Sequence, residues 1–226
     1  LIGVLVSKNL KQWKNTLNVS EIADGMNFAQ QNANRLLSDA EKLFELESYP
    51  TAYSIAVLAI EEAGKISILR ELAVARNGND VKYAWKAYRT HTKKNAMYVF
   101  PHLVASGCAK LRDFGGIYSD KNDFPALLDD LKQVGFYTDC LGQKHWSVPS
   151  QVISKEAADD ILRVARILCK YRTYTQKEIE LWVKHIKPVW KSSMQEMQVA
   201  LKAWFNDMLN EGLAKESDIS FEEFVG

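Results

Sequence analysis

Cysteine is scarce in this sequence: Cys108, Cys140 and Cys169 are the only three in 226 residues, and no two stand at CxxC spacing. That excludes a disulfide frame and a zinc knuckle, and fits packed, reduced thiols in a cytosolic protein. Charge of one sign is lacking too. Twenty-nine Lys and Arg face 28 Asp and Glu, a net charge of +1. There is no global pull toward nucleic acid or an acidic membrane, so any RNA contact has to be local. The apolar N-terminal run, LIGVLV, is short and has no basic segment before it. It suits neither a signal peptide nor a membrane span. The chain opens on Leu, so an initiator or a longer start is expected to be missing. Internal repeats, low-complexity tracts and period-two alternation long enough for a convincing strand are absent. So are Walker A, GxGxxG, GxSxG and HExxH patterns.

What is present is apolar residue at helical spacing. At 47% hydrophobic, 226 residues can build one full core. The organising stretch is residues 50–76, PTAYSIAVLAIEEAGKISILRELAVAR, read as one helix with Pro50 in its first turn. Its apolar residues go round every face, the mark of a helix surrounded by others. Glu61, Glu62 and Lys65 sit in the middle of it. Charges there are costly unless paired, and both carboxylates can reach the ammonium at i+4 and i+3. Gly64 weakens the helix by about 1 kcal/mol against Ala, which suggests that it lets another backbone or side chain come close. The plainer alternative is a buried ion pair that fixes helix register.

Before this helix, Ser20 is expected to cap one running over residues 21–47, with Ile22, Met26, Ala29, Ala33, Leu36 and Ala40 on its stripe. The two form a helical hairpin. A third helix is expected over 81–98, broken by Pro101, with a short helix over 102–111. Residues 113–123 read as a loop and 124–141 as a helix with Leu127, Leu128, Leu131 and Val134 inward. Ser154 is expected to cap a long helix over 155–186, and a last helix follows over 189–210. The fold class is all-α, an antiparallel helical bundle. Its expected divisions are a lead-in (1–19), one helical domain (20–212) and a loose acidic tail (213–226).

The third helix carries a second polar cluster: Lys86, Arg89, His91, Lys93 and Lys94. If it packs beside the central helix, Glu62 and His91 meet, and a carboxylate beside an imidazole orients it. Lysines nearby attract phosphate. Glu62, His91 and Lys94 are thus a candidate set for general acid–base work on a phosphodiester; the alternative is a solvated basic face. No metal is expected, because none of the four histidines has a Glu three residues before it, and no cofactor is implied.

SYPTAYSIAVLAIEEAGKISIL followed by YRTHTKKN resembles the AbiV family of bacterial abortive-infection proteins, whose members carry EExGK on one helix and an HxxK-like motif on the next. FYTDCLGQKHWSVPSQVISKEAADDILRVA is similar to a later segment of that family. The likeness covers about residues 32–170. It implies a HEPN-like helical fold, a dimer and a role in phage defence. Many HEPN proteins are metal-independent RNA endonucleases with an Arg-x(4–6)-His motif. This sequence departs from that motif: Arg89 lies two residues before His91, and Lys86-x4-His91 has the spacing with lysine, which is no bidentate clamp.

The resulting expectation is a cytoplasmic antiviral protein that arrests infected cells by acting on RNA or translation. His91 and Glu62 are its catalytic candidates, and Lys94, Lys65, Arg89 and Lys86 its phosphate ligands. Homodimer, RNA and a phage-encoded activator are the expected partners, and no membrane. Trp190, Met194, Met197, Leu201, Trp204 and Met208 offer a seam for the dimer. The rival class is a non-catalytic module that binds a phage protein or the translation machinery.

Overall fold

Two long helices make the frame. A computed structural model describes residues 11–118, 123–215 and 221–226, so the start of the lead-in and parts of the expected loop and tail lie outside the described residues. Helix α1 (Val19–Glu45) begins at Asn18, not Ser20: Asn18 and Glu21 cap each other's backbone N–H groups in a capping box. Helix α2 (Tyr49–Ala73) returns antiparallel against it. Both lengths agree with the sequence pattern within a turn. As its composition requires, α2 is enclosed, with α1 along one side and later helices along the others.

The third segment is not one helix. Helix α3 (Gly78–Arg89) stops at Thr90, whose extended backbone (φ −94°, ψ 124°) breaks the ladder. A single turn, α4 (His91–Lys94), then runs into a 3-10 stretch, Asn95–Val99. Pro101 does not break a helix here. It sits in the first turn of α5 (Phe100–Ala105), where its missing N–H is harmless. The loop expected over 113–123 begins as a 3-10 segment, Leu111–Tyr118.

Helix α6 (Phe124–Phe136) ends before the expected 141, and a hairpin of β1 (Asp139–Leu141) and β2 (His145–Ser147) follows, with Cys140 opposite Trp146. This is the only sheet among the described residues. Leu127 faces solvent, while Pro125, Leu128, Lys132 and Gly135 form the buried stripe. After a short α7 (Pro149–Val152), α8 (Lys155–Leu168) starts at its Ser154 cap. The long helix expected over 155–186 is interrupted: Cys169 ends α8, and Thr175 caps a new helix, α9 (Gln176–Ile186).

Helix α10 (Met194–Asn210) opens at a Ser193–Glu196 capping box. The tail expected to be loose folds back as α11 (Phe221–Val225), where Phe221 stacks on Phe205 at 4.1 Å and Val225 is buried. Of the thiols, Cys169 is buried, and burial pushes it up to about 12; Cys140 is exposed, against the expectation that all three are packed.

The main core lies between α2, α6 and α8, around Val57, Ile60, Leu128, Ile161 and Leu162. A second core joins α1 to α2, α3 and α9. Glu178 of α9 is buried and accepts hydrogen bonds from Arg70 of α2 (2.8 Å) and Arg172 (2.7 Å), tying the two helices together. The apolar residues of α10 are largely used inside the chain. Trp204 meets Trp182 at 5.2 Å, Met208 is buried, and Met197 and Leu201 pack on Val74 and Ile186.

Candidate functional site

One face of α2 organises the site. Ser54, Glu61 and Gly64 lie at i, i+7 and i+10, so they share a side of the helix. Near the start of α2, the Ser54 hydroxyl donates to the Lys132 carbonyl at 3.0 Å. Gly135 lies so close that a Cβ there would fall 2.3 Å from the Ser54 oxygen. That tight seat of α6 on α2 delivers the Lys132 side chain to Glu61. One turn beyond Glu61, Gly64 does the same for α4: a Cβ on it would stand 1.9 Å from the Lys94 carbonyl oxygen. The absent side chain lets the α4 backbone cross α2 in contact, and this crossing sets His91 and Lys94 over Glu61.

Glu61 is 2% exposed, and its carboxylate has three partners. Oε2 stands 2.6 Å from His91 Nδ1 and 3.1 Å from Lys94 Nζ, and Oε1 accepts from Lys132 Nζ at 2.7 Å. Lys132 also donates to Asp129 Oδ1 at 2.5 Å. Burial by itself would push the Glu61 carboxyl up. The Lys132 and His91 hydrogen bonds and the Lys94 and Lys132 charges outweigh it and hold the group below the usual carboxylate range. Lys132 is the reverse case: burial would lower it, and Asp129 and Glu61 raise it instead. Both groups are therefore ionised at neutral pH. Two carboxylates and two ammoniums balance, and this cancellation is what makes so buried a set of charges tolerable.

His91 is the member that reaches solvent, with its side chain 50% exposed. At 2.6 Å from an ionised carboxylate, Nδ1 carries the proton and donates it. Lys132 Nζ, at 3.4 Å from the same nitrogen, then has no lone pair to donate to. In the neutral form of that ring the lone pair lies on Nε2, the arrangement a general base needs.

The structure thus puts Glu61, not Glu62, beside His91. Glu62 pairs with Lys65 one turn on, both side chains 18% exposed, and Lys65 also lies 5.1 Å over the Tyr88 ring. Lys94 is brought in, but as a buried partner of Glu61 (7% exposed) rather than a free cation. Arg89 is held elsewhere: its Nη2 donates to the Trp13 carbonyl at 2.5 Å and its guanidinium covers the Trp85 ring, fastening the lead-in to α3. The break at Thr90 is the reason, since it sends the residues on either side in different directions. Lys86 is exposed on α3. Lys132 and Asp129 were missed by sequence reasoning, although a lysine four residues after Leu128 on an inward stripe was a readable signal.

Glu61, His91 and Asp129 bring metal-ligand atoms within 4.8 Å of one another. The Lys132 ammonium stands among them.

The protein is thus an all-α bundle whose buried central helix is crossed at Gly64 by the turn that carries His91. A family model described as AbiV, of HEPN type, matches residues 21–170. The chain belongs to the AbiV family, and the match spans α1 through α8, including every residue of the Glu61 cluster. No curated protein and no solved structure matches the chain. No helix among the described residues is long and apolar enough to cross a membrane.

Proposed function

We propose that this AbiV-family chain arrests phage-infected cells from the cytoplasm by cutting RNA, with His91 as the acid–base group and Glu61 as the residue that orients it. The observation that carries the reading is the 2.6 Å contact between a half-exposed imidazole and a buried, ionised carboxylate. In this arrangement Nε2 takes the proton of a ribose 2′-hydroxyl, and the field of Lys94 and Lys132 behind Glu61 keeps the carboxylate charged throughout. Lys86, exposed on α3, is the proposed phosphate contact, and Lys65 lends positive charge from its pair with Glu62. The family resemblance supports a homodimer; a phage-encoded activator is the further partner proposed.

A second reading, a binding module without catalysis, has its own supporting observation: Arg89, the arginine nearest His91 in sequence, is committed to Trp13 and Trp85. Incubating the pure protein with total RNA in EDTA, alone and with extract of infected cells, separates the two. Cleavage that survives EDTA and disappears in His91→Ala supports the first reading. No cleavage under either condition, with phage protection intact in His91→Ala, supports the second.

A further inference from the structure

Lys132 occupies an unusual place. Its ammonium lies 2.7 Å from Glu61 Oε1, 2.5 Å from Asp129 Oδ1 and 3.4 Å from His91 Nδ1. Two carboxylates and an imidazole converging on one point are a divalent-metal donor set, of the kind that holds zinc through three protein ligands. Here the point is filled by a cation supplied by the chain, 2% exposed and carried on α6 by the Ser54 and Gly135 contacts.

We propose that Lys132 is a tethered cation standing in a latent divalent-metal site, and that removing its amine turns Glu61, Asp129 and His91 into ligands for zinc or cobalt(II). Three features on the page argue for it. The first is charge. Without the Lys132 ammonium, Glu61 and Asp129 face Lys94 alone, and the cluster is left with one uncompensated negative charge, most of it buried. Such a site favours capture of a cation.

The second is geometry. Zinc binds oxygen and nitrogen at about 2.0–2.2 Å. The carboxylate oxygens therefore need to close by only about half an ångström from where they now hold the ammonium. The imidazole has further to move, but it is half-exposed and sits on a single helical turn.

The third is proton balance. On metal capture the His91 Nδ1 lone pair goes to the metal and its proton relocates to Nε2. Glu61, already ionised, gives up its hydrogen bond from His91 and keeps the Lys94 pair at Oε2, while Oε1 takes the metal. No oxidant, reductant or further acid is needed.

In the native protein the same contacts make Lys132 a positioning residue. Glu61 Oε1 is held by Lys132, so Oε2 is directed to His91. This proposal concerns the side chains of the reading above, but it does not rest on catalysis. An inactive protein leaves it standing, and its failure leaves cleavage by His91 untouched.

The test is titration of the full chain with cobalt(II), read by visible d–d absorption, and with zinc, read by thermal shift. Lys132→Met, which keeps the stem and removes the charge, is expected to bind one equivalent of cobalt. It should melt higher with zinc than with EDTA. Adding Asp129→Asn or His91→Ala to it should abolish both signals. The native chain is expected to give neither.

Equal binding by the native chain overturns the proposal, because the ammonium then excludes nothing. Absence of binding by a folded Lys132→Met chain overturns it, as does binding that survives Asp129→Asn and His91→Ala. Lys132→Ser, which leaves room for metal-bound water, guards against a misfolded first variant. If neither variant folds even in excess zinc, a metal cannot take the ammonium's place, and the proposal fails on that result as well.

Discussion

At the scale of single residues the account turns on two adjacent glutamates with different fates. Glu61 is buried among Lys132, Lys94 and His91, whereas Glu62 shares a partly exposed pair with Lys65. Removing one partner from a buried charge pair costs about 3–5 kcal/mol, against about 0–1 kcal/mol for an exposed pair. In a chain of this size each kcal/mol moves the melting temperature by about 2–4 °C. Glu61→Ala should therefore lower it by roughly 6–20 °C, and Glu62→Ala, which breaks only a partly buried pair with Lys65, by less. A scanning calorimeter decides this, and equal losses would mean that both carboxylates are buried alike.

The pH dependence of stability follows from the same groups. Glu61 is held below its ordinary 4.5, so its contribution is present above that value and lost as pH falls through the lower folded one. Lys132 is raised above 10.5, so its contribution is present below that value and lost as pH climbs past it. Between these limits the two groups add no slope. Acid titration of the melting temperature should show a fall below pH 4.5 that Glu61→Gln flattens. An unchanged acid limb in that variant would remove Glu61 from the account.

At the scale of elements, the site exists because α4 crosses α2 at Gly64. Gly64→Ala gains about 1 kcal/mol of helix propensity. It also puts a methyl group 1.9 Å from a backbone oxygen that has no rotamer to escape through. Overpacking of that kind costs about 1–3 kcal/mol. The variant should therefore melt lower and lose the His91–Glu61 contact. A higher melting temperature with RNA cleavage retained would show that α4 does not cross there.

Elements were the most legible part of the sequence. The extents of α1 and α2, the Ser154 cap and the meaning of Gly64 could all be read from local spacing. The break at Thr90 could not, because residues 81–98 keep helical spacing on both sides of it and only the tertiary seat on Gly64 forces the turn. The same blindness explains the choice of Glu62. On a uniform helix Glu61 and Glu62 are equally good neighbours of Lys65, and which one faces the bundle depends on where α4 and α6 dock. Lys132 stood at a readable inward position, but two of its three partners, Glu61 and His91, lie far away in sequence, and nothing local pointed to them.

At the scale of the whole molecule, the all-α class was readable from the period of its apolar residues, but the division of surface was not. The methionine and tryptophan stripe of α10, expected as a dimer seam, packs against α9, Val74 and the returning α11. Only Met194 of the nominated residues is strongly exposed. The nominated stripe is therefore largely spent on contacts within the chain. Light scattering at micromolar concentration should return twice the 25.7 kDa chain mass, and Met194→Glu should not change it. A monomer mass would remove the dimer from the proposal. The matched segment ends at residue 170, so α9 to α11 lie outside it; they are joined to α2 through Glu178 and Arg70.

The most direct test of the central claim is the protonation of the His91 ring. The claim is that an ionised, buried Glu61 holds Nδ1–H and leaves Nε2 free. A long-range proton–nitrogen correlation spectrum at about pH 8.5, above the ordinary imidazole range, reads the tautomer, with His91→Ala giving the assignment. The account predicts a protonated Nδ1 and an unprotonated Nε2 in the native chain. A ring protonated on Nε2 with a bare Nδ1 would contradict it, because Glu61 would then be no partner of His91.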